Sequence, residues 1–344
     1  MEAMLERSLA NFGFAQAIVI MKPPITGVKE APARVVQNFM SKIPLAASTM
    51  AAYKREAPPF RYFPLLGVCV GYVDSQGATQ IEAQKDDVEA VFHGDQMSLI
   101  RPVRVGLAKL RERLTWGLRI LKLETLWDRG FTGKAARVGH LDTGVDAQHK
   151  ALRGKIKGFM EFDMSGERVP ATKPYDSDEH GTHTAGTICG GKIDGRQIGM
   201  APGADLYSGL VIEGGQVLYR VLNGMEWCLE NKVRVMSMSL GFRGYTPFFV
   251  NIMRRLRTQG VLPVMAIGNE GPGTSRSPGN YPEALSVGAV NSRRRIASFS
   301  SNMVFNRPDD PRQPNVVAPG VDVVSAKPGG GVQSMDGTSM ATPH

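Results

Sequence analysis

The sequence predicts an α/β fold, a mostly parallel central sheet flanked by helices, with a small α+β unit ahead of it. Three observations carry this. From residue 136 onward, short apolar β-branched runs alternate with segments of helical period. That order calls for right-handed crossovers and a sheet covered on both faces. Before residue 95 the order changes to strand, helix, strand, strand, helix, strand. Finally, 344 residues exceed the usual size of one domain, so two are expected.

Taken in order, residues 1–13 read as a loose terminus. Residues 15–21 form a buried strand stopped by Pro23-Pro24, and residues 33–43 set Val35, Val36, Phe39 and Met40 at helical spacing. Strands over 61–66 and 67–73, a short helix over 77–86 and a strand over 88–92 complete a ferredoxin-like unit spanning 14–95. Residues 96–113 are polar and basic, contain Pro102, and read as a linker open to proteolysis.

The larger domain covers 114–344. Residues 136–141 form a strand that delivers Asp142 to its carboxyl end, and 180–190 can open a helix. A strand over 205–212 is followed by a helix over 217–229, with Val217, Val221, Met225 and Cys228 on one face. Strands over 233–238, 261–267 and 284–290 and a helix over 247–259, ended by Gly260, follow. Open sheets of this kind carry their sites beyond the carboxyl ends of the strands, where Asp142 and Asn269 both fall.

Composition narrows the function. The net charge of +9 is clustered in Arg101–Arg113, in Arg254, Arg255 and Arg257, and in Arg293-Arg294-Arg295. No aromatic residues interleave with these clusters to stack bases, so they read as solvated faces and no nucleic-acid partner is expected. Cys69, Cys189 and Cys228 are too few and odd in number for a disulfide framework. No apolar run approaches the ~20 residues of a membrane helix. Glu2, Glu6 and Arg7 precede the first apolar run in place of a basic leader, so no ordinary signal peptide is read and the sequence as given reads as cytoplasmic.

Four short motifs carry chemistry. Ser339 lies in Gly337-Thr338-Ser339-Met340-Ala341, a small-residue turn into a helix that leaves a backbone N–H facing any anion there. Asp142 lies in His-Leu-Asp-Thr-Gly-Val-Asp, His180 in His-Gly-Thr-His-Thr-Ala-Gly, and Asn269 in Ala-Ile-Gly-Asn-Glu-Gly. Each alone has a plain structural reading, as a helix cap or a turn residue. Asp146 and His183 are rivals within two of the motifs.

In this order and combination the chain resembles the subtilisin-like serine peptidases, or subtilases, over roughly 114–344. The resemblance implies a serine endopeptidase in which Ser339 is the nucleophile and His180, the first histidine of its motif, is the base and later the acid. Asp142 would orient that imidazole, and Asn269 would bind the oxyanion with the Ser339 N–H. It implies a substrate-binding segment at Ser239-Leu240-Gly241, a pocket wall at Ala266-Ile267-Gly268, a facing edge at Gly214 and Gly215, and Arg276 in the loop closing the pocket.

The resemblance also implies a zymogen whose unit 14–95 is a propeptide and intramolecular inhibitor, polypeptide substrates, and an extracellular location. Family calcium sites would be expected, but residues 190–200 carry a single acid, Asp194, and no metal ligand is assigned. In the family the serine opens a long central helix, whereas here the sequence given ends at His344, so a C-terminally truncated catalytic domain is expected. The competing reading is an inactive peptidase-fold binding or scaffold protein, or a non-functional fragment.

Overall fold

A computed structural model of the chain describes residues 2–22, 60–212 and 214–344. The chain divides into two compact units, 1–96 and 97–344. The helix expected over 33–43 lies outside the described residues.

The first unit corrects the expectation of a loose terminus, because Ala3–Phe12 is an α-helix. Leu5 and Leu9, one turn apart, are both buried, and Gly13 at φ 75° closes the helix by donating its N–H to the Leu9 carbonyl. Strands β1 (Ala15–Met21), β2 (Arg61–Phe63), β3 (Val68–Val73) and β4 (Val88–His93) pair antiparallel in the order β2-β3-β1-β4. A helix over Ser75–Ala83 starts earlier than its apolar spacing indicates, because the Asp74 side chain accepts the Gly77 N–H at 2.7 Å and caps it.

The second unit corrects the linker. Within 96–113 lie β5 (Ser98–Leu99) and β6 (Arg104–Leu107). Their polar, basic sequence has no strand period of its own, and both are strands because they pair with edges from far along the chain.

The centre of this unit is an eight-stranded sheet. It contains β7 (Arg137–Asp142), β8 (Ile156–Phe162) and β9 (Arg168–Val169), and beyond the small β10 (Lys192–Ile193) and β11 (Arg196–Gln197) pair, β12 (Asp205–Leu210) and β13 (Val235–Met238). After β14 (Leu240–Arg243) come β15 (Leu262–Ala266), the short β16 (Arg276–Ser277), and β17 (Leu285–Val290). Past the β18 (Met303–Val304) and β19 (Arg312–Gln313) pair, β20 (Val316–Pro319) closes the sheet, and β21 (Val323–Ala326) and β22 (Val332–Asp336) form a hairpin. The strand order is β20-β17-β15-β13-β7-β12-β8-β9, and every neighbouring pair is parallel except β8–β9.

Strand β7 lies inside this sheet and its side chains alternate between two helices. Gly139 and Leu141 face the helix Val217–Glu230: a Cβ on Gly139 would meet Cys228, and Leu141 lies against Gly224. His140 and Asp142 face the helix His180–Cys189 through hydrogen bonds to Thr184 and His180.

Candidate active site

Asp142 is the last residue of β7 and His180 the first of its helix. What brings them together is the absence of side chains between. A Cβ on Gly181 would overlap the Gly144 carbonyl oxygen, and Gly144 itself adopts φ 107° against the Tyr175 carbonyl. The Thr143 hydroxyl accepts the Gly181 N–H at 2.9 Å and donates to Asp176 Oδ1 at 2.6 Å. Asp176 Oδ2 in turn accepts the Thr182 N–H at 2.6 Å, so strand end and helix start are stitched together.

The result is a 2.7 Å hydrogen bond from His180 Nδ1 to Asp142 Oδ1, with the two side chains 1% and 2% exposed. Burial works to raise the Asp142 carboxyl, but the imidazoles of His180 and His140 outweigh it and hold the group well below the usual carboxylate range. For His180 burial works downward, and the Asp142 carboxylate reverses it, lifting the imidazole above its ordinary 6.5. The rival residues are spoken for. His183 Nε2 bonds the Val323 carbonyl at 3.0 Å, burial pushes its pKa down to about 3, and Asp146 accepts backbone N–H groups from Gln148, His149 and Gly329.

Ser339 is fully buried in the short helix Thr338–Ala341, entered from the extended Gly337. Asn269 follows β15. Its Oδ1 accepts both the N–H and the hydroxyl of Thr338 at 2.8 Å, which turns its Nδ2 toward the site. There Nδ2 donates to the Arg101 carbonyl at 2.8 Å.

The peptide partner is the segment that sequence reasoning read as a linker. Leu99 pairs with Leu240 and Ser98 with Gly241 in an antiparallel ladder, and the Ile100 N–H donates to the Ser239 carbonyl at 2.9 Å. The Ser339 hydroxyl donates to the Ile100 carbonyl. Met97, Leu99 and Ile100 are buried while Ser98 is exposed. Beyond Pro102 the segment runs on as β6 along β22, tied by Arg104 Nε to Asp336 Oδ2 at 2.9 Å. The buried His180 Nε2 has no hydrogen-bond partner among the described residues, and the helix that opens with His180 packs against the short helix that carries Ser339.

The other residues singled out by the sequence fall around this strand in several ways. Ala266 and Ile267 are buried at the end of β15, and the Gly268 N–H donates to the Thr338 hydroxyl at 3.3 Å. Arg276 is buried, with Nε 2.8 Å from Glu270 Oε1 and Nη1 2.9 Å from the Ser98 hydroxyl. Its charge is thus already matched within the site. Gly214 and Gly215 are not part of the Leu240–Gly241 ladder. They lie against Met164, with the Gly214 carbonyl held by Arg220 at 3.0 Å.

Sequence reasoning missed His140, whose ring contacts the hydroxyls of Ser208 and Thr184, and missed the strand at 98–99. The first could have been found from its place two residues before Asp142 on one strand face. The second had no local signal.

Residues 133–344 match the model of the subtilase family of S8 peptidases. The chain is 36% identical to subtilisin NAT of Bacillus subtilis subsp. natto over 242 residues, 68% of this chain and 59% of that protein. It is 36% identical to the major intracellular serine protease of Bacillus subtilis over 237 residues, 66% of this chain and 71% of that one. An alkaline protease of Alkalihalobacillus alcalophilus is 34% identical over 266 residues, 77% of this chain and 66% of that protein. The chain therefore spans 59% of the length of the subtilisin. Among the described residues no helix is long and apolar enough to cross a membrane.

Proposed function

Since the chain belongs to the subtilase family, we propose that it is a serine endopeptidase working through Asp142, His180 and Ser339, with Asn269 at the oxyanion and residues 97–101 acting as its own inhibitor strand. The observation that carries this reading is the peptide strand paired with Leu240 and Gly241 whose Ile100 carbonyl accepts a hydrogen bond from the Ser339 hydroxyl. A polypeptide substrate would add itself to the same edge by main-chain pairing.

In the reaction, Ser339 Oγ attacks a peptide carbonyl while its proton passes to His180 Nε2, and Asp142 stabilises the imidazolium through Nδ1. The tetrahedral oxyanion is held by Asn269 Nδ2 and the Ser339 N–H. His180 then protonates the leaving amine, and water, activated by the same imidazole, releases the acyl group. Every group in this scheme is supplied by the chain itself, so the reading calls for no cofactor.

The zymogen reading has separate support. The groups that should converge on one carbonyl are split in the uncut strand: Ser339 Oγ bonds the Ile100 oxygen, and Asn269 Nδ2 bonds the Arg101 oxygen one residue on. A strand held that way fills the site without presenting one carbonyl to both groups. We read the segment 1–96 ahead of it as the propeptide.

A fluorophosphonate probe and a peptide substrate test the reading. We expect Ser339-dependent labelling and peptide hydrolysis, both abolished in Ser339→Ala. Absence of both in the chain and in a form cut within 97–101, or labelling that survives Ser339→Ala, would leave a peptidase-fold binding protein in place of an enzyme.

A further inference from the structure

Residues 140 and 142 share one face of β7, and residues 180 and 184, one turn apart, share one face of the facing helix. The two faces meet as a square: Asp142 Oδ1 with His180 Nδ1 at 2.7 Å, and His140 Nε2 with the Thr184 hydroxyl at 2.8 Å. One diagonal is closed as well, by Thr184 Oγ1 at 3.2 Å from Asp142 Oδ2. On its other side, His140 Nδ1 lies 3.0 Å from the hydroxyl of Ser208, its register partner on β12. None of His140, Asp142, His180, Thr184 and Ser208 is more than 2% exposed.

We propose that His140 is a positioning residue for the Asp142–His180 pair, holding the far oxygen of the carboxylate through Thr184. This rests on the triad assigned above. The proton inventory supports it. Asp142 Oδ1 already takes the His180 ring proton and the Thr143 N–H at 2.7 Å, so Oδ2 depends on what Thr184 and His140 provide. Were His140 to carry its proton on Nδ1, the single Thr184 hydroxyl proton would be drawn to Nε2 and the buried Oδ2 would lose its donor. Thr184 Oγ1 also lies 3.1 Å from the carbonyls of His180 and Gly181, which compete for its proton. The tautomer that leaves this proton for Oδ2 has Ser208 donating to Nδ1, Nε2–H donating to Thr184, and Thr184 donating to the charged oxygen. Nε2, 3.6 Å from Oδ2, then also points its proton toward the carboxylate.

Removing this support has a defined direction. A carboxylate with one oxygen unsatisfied pulls harder on the His180 ring proton, so His180 stays protonated to higher pH. The other ionisable groups facing the square are His183 on the same helix and Asp176 and Asp178 in the loop before it. From β12 and β13 the register partners of His140 are Ser208 and Ser237, which are neutral.

The test uses the full chain as wild type, His140→Phe, His140→Gln, Thr184→Val and the double variant His140→Phe/Thr184→Val. The readouts are the pH profile of kcat/KM and the NMR titration of the His180 ring. In His140→Phe we expect the acid limb to move up by about half to one pH unit, and kcat to fall roughly tenfold at unchanged KM. His140→Gln, which retains an acceptor for Ser208 and a donor for Thr184, should return the limb to its place. Thr184→Val should reproduce the shift, and the double variant should add nothing to it.

An unmoved limb in His140→Phe, or additive shifts in the double variant, overturns the proposal. If the Phe variant does not fold, Thr184→Val decides, because an unchanged His180 titration there overturns the proposal equally. Should the wild type show no peptidase activity even after the 97–101 strand is cut, the functional reading fails, and the NMR titration of His180 still decides the role of His140.

Discussion

The hydroxyl of Ser339 donates a hydrogen bond to the carbonyl of Ile100, a residue 239 positions earlier in the chain. Ile100 is 1% exposed and its N–H is fixed to Ser239 at 2.9 Å, so the strand is pinned on both sides of the proposed nucleophile. An aspartate at this position would bury a charge with no partner, a cost of several kcal/mol that the strand escapes by leaving. Each 1.4 kcal/mol of lost affinity is a factor of ten in occupancy. We therefore expect Ile100→Asp to label with a fluorophosphonate at least tenfold faster than the wild-type chain. Equal rates would mean that the strand does not guard the hydroxyl.

Asn269 is aimed by Thr338, whose N–H and hydroxyl both bond its Oδ1 at 2.8 Å. Asn269→Ala should lower kcat on the order of 10²–10³-fold, the loss known for such an amide in a subtilisin, with little change in KM. Thr338→Val removes one of the two bonds that orient the amide and should give a smaller loss, about tenfold. A Thr338→Val loss exceeding that of Asn269→Ala would point to a role for Thr338 beyond aiming.

Much of this site was legible because its parts sit at punctuated places. Asp142 ends an apolar strand, His180 opens a helix among small residues, and Asn269 follows another strand. Those are local signals; the fold joins Asp142 to His180 and sets Asn269 against Thr338, the neighbour of Ser339. The strand at Ser98–Leu99 is different, because its hydrogen bonds go to Leu240 and Gly241 and nothing within 96–113 encodes them. The helix Ala3–Phe12 was missed for a smaller reason: only Leu5 and Leu9 mark its buried face, too few to set a period. His140 was in view inside a motif, but its meaning depends on Thr184 across the gap.

The pH dependence follows from the buried pair. Burial would lower His180, but the Asp142 carboxylate, with Asp176 and Asp178 nearby, holds it above its ordinary 6.5. A base must be unprotonated, so kcat/KM should rise with pH through a midpoint above 6.5. Stability runs the other way for this group. Its contribution is complete below the unfolded value near 6.5 and fades as pH rises through the folded one. Asp142, held low, contributes above the ordinary carboxylate value of 3.8 and loses that contribution as pH falls toward its folded value. Asp142→Asn should lower kcat on the order of 10⁴-fold and move the His180 titration downward. An acid limb at or below 6.5 in the wild type would contradict the pairing.

Gly181 sets two effects against each other. In a solvent-facing helix, replacing Gly by Ala stabilises by about 1 kcal/mol. At Gly181 the added methyl would overlap the backbone oxygen of Gly144 and approach Thr143 Oγ1 to 3.0 Å, and a backbone carbonyl cannot swing aside as a side chain can. Overpacking of this kind costs about 1–3 kcal/mol, so the clash outweighs the propensity gain. Relief comes by moving the start of the helix away from the end of β7, which stretches the 2.7 Å bond between His180 and Asp142. A misplacement of about 1 Å in such a pair costs on the order of 10² in rate. Gly181→Ala should therefore lower both the denaturant midpoint and kcat/KM. Gly191→Ala, whose Cβ meets only the Ala151 carbonyl at 3.5 Å, should leave kcat/KM unchanged. A Gly181→Ala protein more stable than the wild type would show that the strand end and helix start are not in the close contact that the triad geometry requires.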